Sequence, residues 1–345
     1  MAFRPVSAIA TLAAAALLSA ACGSAPRGFG EDAATKGTSG GGPAKGASSQ
    51  PPGATATVSP PLPANAKALA RKKAEMLTSI WENGTTVLQY GYCENIHDGR
   101  GFTSGRAGFC TGTGDAVLVA RCFDAALGSQ SELHKYMGEL DALASAFSRT
   151  GENQSKTSGL TAKGSYCSDW AAATTGVNSA AFKACQDKVV EDLYYTPSLK
   201  LLAKWGLTTA LTTAAVYDAY INHGEDGVAA LIAAGNAAIG NGAQVAPRKP
   251  LSAAEESAWL KGFLQKRLAV MKADATWAEA VDRVAEYESL RALGNWDLQQ
   301  TIVTNAKAMK LFPGNGFADS GYPICDIAPD GSVSGDPACT SATGL

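Results

Sequence analysis

Glu82 and Asp98 are the two side chains whose settings suit opposite halves of acid–base chemistry. Hydrolysing a glycosidic bond takes one carboxyl that keeps its proton and one that has lost it. Glu82 falls at the end of a predicted helix, just before Asn83-Gly84. The negative end of the helix dipole disfavours a second negative charge there, and Ile80 and Trp81 add apolar cover. Both effects raise the pKa, as a general acid requires. Asp98 lies in the loop His97-Asp98-Gly99-Arg100-Gly101. A cation at Arg100 favours its ionised form, as a general base requires. Taken alone, a Glu before Asn-Gly is also common surface chemistry, and Asp-Gly is also a common turn.

The elements that must position these groups follow from the pattern. Leu69, Met76, Leu77 and Ile80 share one helical face, with Asn65 as the N-cap. Tyr90, Tyr92, Glu94 and Ile96 alternate as in a strand, and Phe102-Thr103 begins a return strand. Thr113 or Asp115 caps a helix running to about Ala126. Beyond it the chain reads as helical. A stripe runs from Leu133 to Phe147, further helices cover 179–194 and 207–222, and Gly224 ends the second. Ser252-Ala253-Ala254-Glu255 is a capping box before Trp259, Leu260, Phe263, Leu264, Leu268 and Met271. A last helix runs from about Trp277 to Gly294, and the tail from Phe312 packs loosely. One small sheet among many helices is an α+β pattern.

The stretch Gln89-Tyr90-Gly91-Tyr92-Cys93-Glu94-Asn95-Ile96-His97-Asp98-Gly99-Arg100-Gly101-Phe102-Thr103, preceded by Glu82-Asn83 and followed by Gly108-Phe109-Cys110-Thr111-Gly112-Thr113-Gly114-Asp115, resembles the catalytic core of family 46 chitosanases, with the related family 80 second. The resemblance implies a lysozyme-like fold, with two mainly helical lobes and a small sheet at a cleft. It also implies endo-acting cleavage of chitosan with inversion. Glu82 matches the general acid, Asp98 the general base, and Thr103 a hydroxyl that places the attacking water. Arg100 matches an arginine near the base, and Asp115 an acid that meets a glucosamine ammonium. Tyr92 and Glu94 fall in the same substrate-binding stretch, and Glu94 is the reserve base on the family 80 pattern. Asn95 departs from the motif, since relatives often carry an acid there. No cofactor is implied. A muramidase acting on peptidoglycan and a non-catalytic polysaccharide-binding lipoprotein are the competing readings.

The second half offers its own test. Arg267 interrupts an apolar stripe and needs a partner unless it snorkels to solvent. Asp218 sits among small apolar neighbours. The resemblance joins Asp218, Arg267 and Arg283 in an internal ion-pair network. His223 is read either as a substrate contact at the cleft rim or as a structural helix-end residue.

Bulk composition narrows the partners. The formal charge is −2, with no basic footprint for nucleic acid, and it becomes −4 without the first 65 residues. Arg4, then the apolar run Val6–Leu18, reads as a signal peptide over 1–21. Ser19-Ala20-Ala21-Cys22 resembles a lipobox, so Cys22 is the lipidation candidate and the membrane contact is that lipid alone. Residues 22–65 are a Gly/Ser/Pro linker, and 66–345 form the catalytic domain. The expected particle is an exported monomer, anchored to the cell envelope or free outside the cell. Eight cysteines fit export; setting Cys22 aside leaves an odd seven, hence one free thiol or an intermolecular bridge. None forms a CxxC pair, and three histidines argue against a metal. The resemblance suggests Cys93 with Cys167, and proximity suggests Cys325 with Cys339.

Overall fold

The computed structural model describes residues 64–83, 87–240, 250–274, 277 and 280–299, with the strand backbones 302–303, 325–327 and 333–335. Its first element is helix α1 (Ala64–Asn83), which carries Glu82 in its last turn. The helix already includes Ala64, so Asn65 lies inside it and is not its cap. A three-stranded antiparallel sheet follows: β1 (Cys93–Glu94), β2 (Thr103–Ser104) and β3 (Phe109–Cys110). Glu94 stands across from Thr103, and Thr103 across from Cys110. The predicted strand from Tyr90 to Ile96 shrinks to two residues.

Helices α2 (Ala116–Leu127), α3 (Met137–Thr150), α4 (Ser158–Thr161), α5 (Tyr166–Ala173) and α6 (Ser179–Val190) surround this sheet. An aromatic chain backs it. Phe102 stacks on Tyr166 at 5.4 Å, Tyr166 meets Trp170, Trp170 meets Phe182, and Phe182 meets Phe123. Such tilted and edge-on contacts suit the ring quadrupoles. The Trp170 indole N–H also donates to the Tyr90 carbonyl at 2.9 Å, which fixes the approach to β1.

A π-helical turn at Glu191–Tyr195 carries α6 straight into α7 (Thr196–Trp205). The sequence reading ends this helix at 194. Pro197, however, occupies the first turn of α7, where a missing N–H costs nothing. Helix α8 (Ala210–Ala238) is interrupted at Gly224, whose φ of 66° breaks the helical path. Gly224 therefore ends one helical stretch as expected, and a second begins directly after it. Helix α9 (Ala253–Ala273) starts at the Ser252–Glu255 capping box, with both reciprocal bonds formed. It packs along α8 where Gly235 faces Trp259. A Cβ at Gly235 would lie 2.5 Å from the indole, so only glycine permits this approach. Helix α10 (Asp282–Leu293) ends at Gly294 in the left-handed conformation. It starts later than expected because Trp277 and Ala280 lie in a turn.

Strands β4 (Ile302–Val303), β5 (Cys325–Ile327) and β6 (Val333–Gly335) form a second antiparallel sheet. The expected loose tail thus contains paired strands. Two disulfides tie the first half together: Cys93–Cys167 joins β1 to α5, and Cys122–Cys185 joins α2 to α6. Cys110 is disulfide-bonded too, and no cysteine is free among the described residues. The odd thiol is therefore not among these five, and the Cys325–Cys339 pairing lies outside the described residues. No described helix is long and apolar enough to cross a membrane.

Candidate active site

Helix α1 delivers Glu82 into the interior, where it is 1% exposed. Arg283 of α10 meets it, Nη2 to Oε1, at 2.6 Å. Burial raises the Glu82 pKa, Arg283 pulls against that rise, and the Asp218 charge adds to it. The direction is the one expected from the helix end, but desolvation dominates. A carboxyl kept neutral this way can donate a proton near neutral pH.

Behind Glu82 lies the ion network. Asp218 accepts from Arg283 Nε and Nη2, each at 2.8 Å, and from Thr78 Oγ1 at 2.9 Å. Arg267 Nη1 lies 2.8 Å from Asp218 Oδ2. Both Asp218 and Arg267 are fully buried, so Arg267 does not snorkel. Burial alone would raise Asp218, yet Arg283 and Arg267 hold it down at about 2. His223 joins this network. Its Nε2 accepts from Arg267 Nε at 3.2 Å, and its ring meets Trp277 edge-on. Burial, then the charges of Arg267 and Arg283, push its pKa down to about 2, so it is neutral. Asn222 Oδ1 accepts from Arg267 Nη2 at 3.2 Å. The break at Gly224 follows at once.

Removing one member of a buried charge set strands the others, which typically costs about 3–5 kcal/mol. Asp218→Ala is expected to lose about that much in urea unfolding and to lower turnover with it. A loss below about 1 kcal/mol would show that the two arginines are stabilised without it.

Asp98 sits in the loop joining β1 to β2, partly exposed. His97, Gly99 and Gly101 all have positive φ (58°, 88° and 78°) and fold the loop back sharply. Asp98 Oδ1 accepts from the Arg100 backbone N–H at 3.0 Å, and Oδ2 from Arg100 Nε at 2.9 Å. The carboxylate is therefore aimed by the next residue but one. The loop is anchored from below: Gly112 N–H donates to the Arg100 carbonyl at 2.9 Å, and Gln154 N–H to the Gly112 carbonyl at 3.0 Å. A Cβ at Gly112 would meet the Gln154 carbonyl at 2.1 Å. Thr103 is fully buried in β2, its Oγ1 3.5 Å from Cys110 Sγ. Tyr92 donates to Glu94 at 3.1 Å on the exposed side of β1.

Of the two cap candidates, Thr113 and Asp115, the fold uses Asp115. It is 1% exposed and caps α2. Its Oδ1 accepts from Cys110 N–H, Thr113 Oγ1 and Ala116 N–H at 2.7–3.0 Å, and Tyr194 O–H lies 3.5 Å from Oδ2. Burial raises its pKa to about 6 against these donors. Tyr194, on the π-turn, is near enough to both Asp115 and Glu82 for their charges to raise its own pKa. Sequence reasoning missed Tyr194 and Thr78, because neither type nor spacing marks them.

The site also sets how stability depends on pH. Glu286, one turn beyond Arg283, is buried with no hydrogen-bond partner on either oxygen, and burial raises it to about 8. Glu82, Asp115 and Glu286 are all raised, so the fold favours their neutral forms. Their contribution falls as pH rises from the ordinary carboxylate range toward about 8. Asp218 and His223 are lowered, so theirs is lost as pH falls below 3.8 and 6.5 respectively. The thermal midpoint should therefore peak at roughly pH 4–5 and decline toward pH 8. Glu286→Gln should flatten that decline; a midpoint that climbs from pH 5 to 8 would contradict it.

A mainly helical body with a small sheet beside it is the lysozyme-like α+β arrangement of glycoside hydrolases. The sequence profile of Glycosyl hydrolase family 46 matches residues 76–302, and the chain belongs to that family. A chitosanase of Bacillus subtilis (strain 168) is 39% identical over 242 residues, 67% of this chain and 80% of the relative. A Nocardioides chitosanase is 31% identical over 265 residues, 73% of this chain and 83% of the relative. Among solved structures, a Bacillus subtilis MY002 chitosanase complexed with 6 GlcN superposes with a TM-score of 0.58 at 37% identity. It covers 68% of this chain and 93% of its own. A Gynuella sunshinyii GH46 chitosanase with chitotetraose gives 0.58 at 33% identity, with the same two coverages.

Proposed function

We propose that the chain is an exported, endo-acting chitosanase that hydrolyses β-1,4 linkages between glucosamine units with inversion. The observation that carries the mechanism is the buried Glu82 carboxyl, whose proton affinity burial raises against the pull of Arg283. Glu82 protonates the glycosidic oxygen. Asp98, aimed by Arg100, takes a proton from water on the opposite face of the sugar ring, and the Thr103 hydroxyl orients that water. Single displacement then inverts the anomeric carbon. The Asp218–Arg267–Arg283 network holds the acid in place and sets its proton affinity. Tyr92 and Glu94, on the exposed side of β1, meet the polymer.

Residues 1–21 direct export, Cys22 carries the lipid, and 22–65 space the domain from the envelope. Mass spectrometry of the mature N-terminus tests the anchor, and an unlipidated start beyond Cys22 would exclude it.

Reducing ends should appear from soluble chitosan and not from peptidoglycan. Proton NMR should show the α-anomer of the new reducing end first. A β-anomer appearing first would mean retention and would reassign Asp98.

A further inference from the structure

The turn between β2 and β3 holds an arginine that the proposed chemistry does not use. We propose that Arg106 is a positioning residue that fixes the acid's helix against the hairpin carrying Thr103. The proposal rests on Glu82 being the acid.

Arg106 touches two helices, α1 and α6, each through both its backbone and its side chain. Its carbonyl accepts from Asn83 Nδ2, the residue directly after Glu82, at 3.3 Å. Its backbone N–H donates to Gln186 Oε1 on α6 at 3.1 Å. Its guanidinium bridges Glu75 of α1 at 2.9 Å and Asp187 of α6 at 2.5 Å. The side chain is 4% exposed, and its guanidinium is taken up by Glu75 and Asp187. The turn is built for this contact: Gly105 and Gly108 both have positive φ, and a Cβ at Gly105 would lie 2.5 Å from Gln186 Oε1.

A second arginine completes the clamp on α1. Arg71 Nε donates to Glu75 at 2.8 Å, and its guanidinium lies over Tyr195 at 3.3 Å. Burial would raise Glu75, but Arg106 and Arg71 together lower it, so it is an anion between two cations. The 480 Å³ cavity beside these residues is lined by charges already paired with one another, which marks a brace and not a ligand site.

Helix α1 is thus gripped twice. Thr78 and Glu82 face the Asp218 network, while Glu75 pairs with Arg106 and Arg71 reaches Glu191 and Tyr195. Arg106 reaches the acid's helix through Asn83 and Glu75 and not through the Glu82 carboxyl, so it acts by placement. Misplacing a reacting group by about 1 Å can cost about a hundredfold in rate.

The test is Arg106→Gln, assayed on chitosan oligomers with the fold checked by circular dichroism. We expect kcat to fall about tenfold or more, KM to stay within about twofold and the alkaline limb of the pH profile to stay put. Arg106→Lys, which keeps one ion contact, should recover part of the loss. A wild-type kcat, a loss carried by KM or a shifted alkaline limb would overturn the proposal. If Arg106→Gln does not fold, Asp187→Asn decides in its place: a lowered kcat at constant KM supports the brace, and an unchanged kcat removes it. Glu82→Gln run alongside separates this failure from failure of the acid assignment itself.

Discussion

Replacing Glu82 with glutamine is expected to lower chitosan turnover by about 10²–10⁴ without loosening the fold. Glutamine keeps the shape of a protonated carboxyl but cannot give up a proton to the leaving oxygen. Stability supplies a second reading. If the buried carboxyl is neutral in the folded protein, its amide replacement removes no charge, and the unfolding free energy should be unchanged or higher. If the carboxyl is instead ionised against Arg283, the same substitution strands a guanidinium and costs several kcal/mol. Surviving turnover would remove Glu82 as the acid. A large stability loss with lost turnover would keep Glu82 essential but contradict the raised pKa. The residual rate of the variant should also lose the alkaline limb that titration of Glu82 imposes on the parent.

Asp98→Asn should have an effect of similar size, about 10²–10⁴ in kcat, for a different reason. Asparagine can still accept the backbone N–H of Arg100, so the loop keeps its turn. It cannot take a proton from water, and it loses the ion contact with the Arg100 side chain. Glu94→Gln is the control. Glu94 is exposed on β1, bonded to Tyr92 across the surface. Its loss should weaken substrate affinity and leave kcat largely intact. Should Glu94→Gln abolish turnover while Asp98→Asn spares it, the base moves one strand earlier, to the family 80 pattern.

The motif from Gln89 to Asp115 was legible because its chemistry is local: glycines at positive φ, an Asp and Arg two apart and a capping Asp all act within a few residues. The capping box at Ser252 and the stop at Gly294 were legible for the same reason. Buried charge in an apolar stripe also gave warning, so Arg267 and Asp218 stood out before their contact was visible. What escaped depends on tertiary burial. Asp115 is legible as a cap, but its contact with Tyr194, far along the chain, is not. His223 had two readings, and its partner lies on a different helix. Arg106 carries no signal in the sequence, since its partners Glu75 and Asp187 are far from it along the chain. The junction of α6 and α7 was hidden because Pro197 resembles a stop yet suits a helix start.

The Cys93–Cys167 and Cys122–Cys185 bonds fall within residues 93–185, while the buried ionic cluster draws on α1, α8, α9 and α10. Two neighbouring regions of one enzyme therefore rely on different glue. Reductant should soften the sheet side first, whereas strong acid, by discharging Asp218, should soften the helical side. An enzyme meeting both insults outside the cell would fail by two separable routes, each with its own early reporter: Trp170 for the covalent half and Trp259 for the electrostatic one.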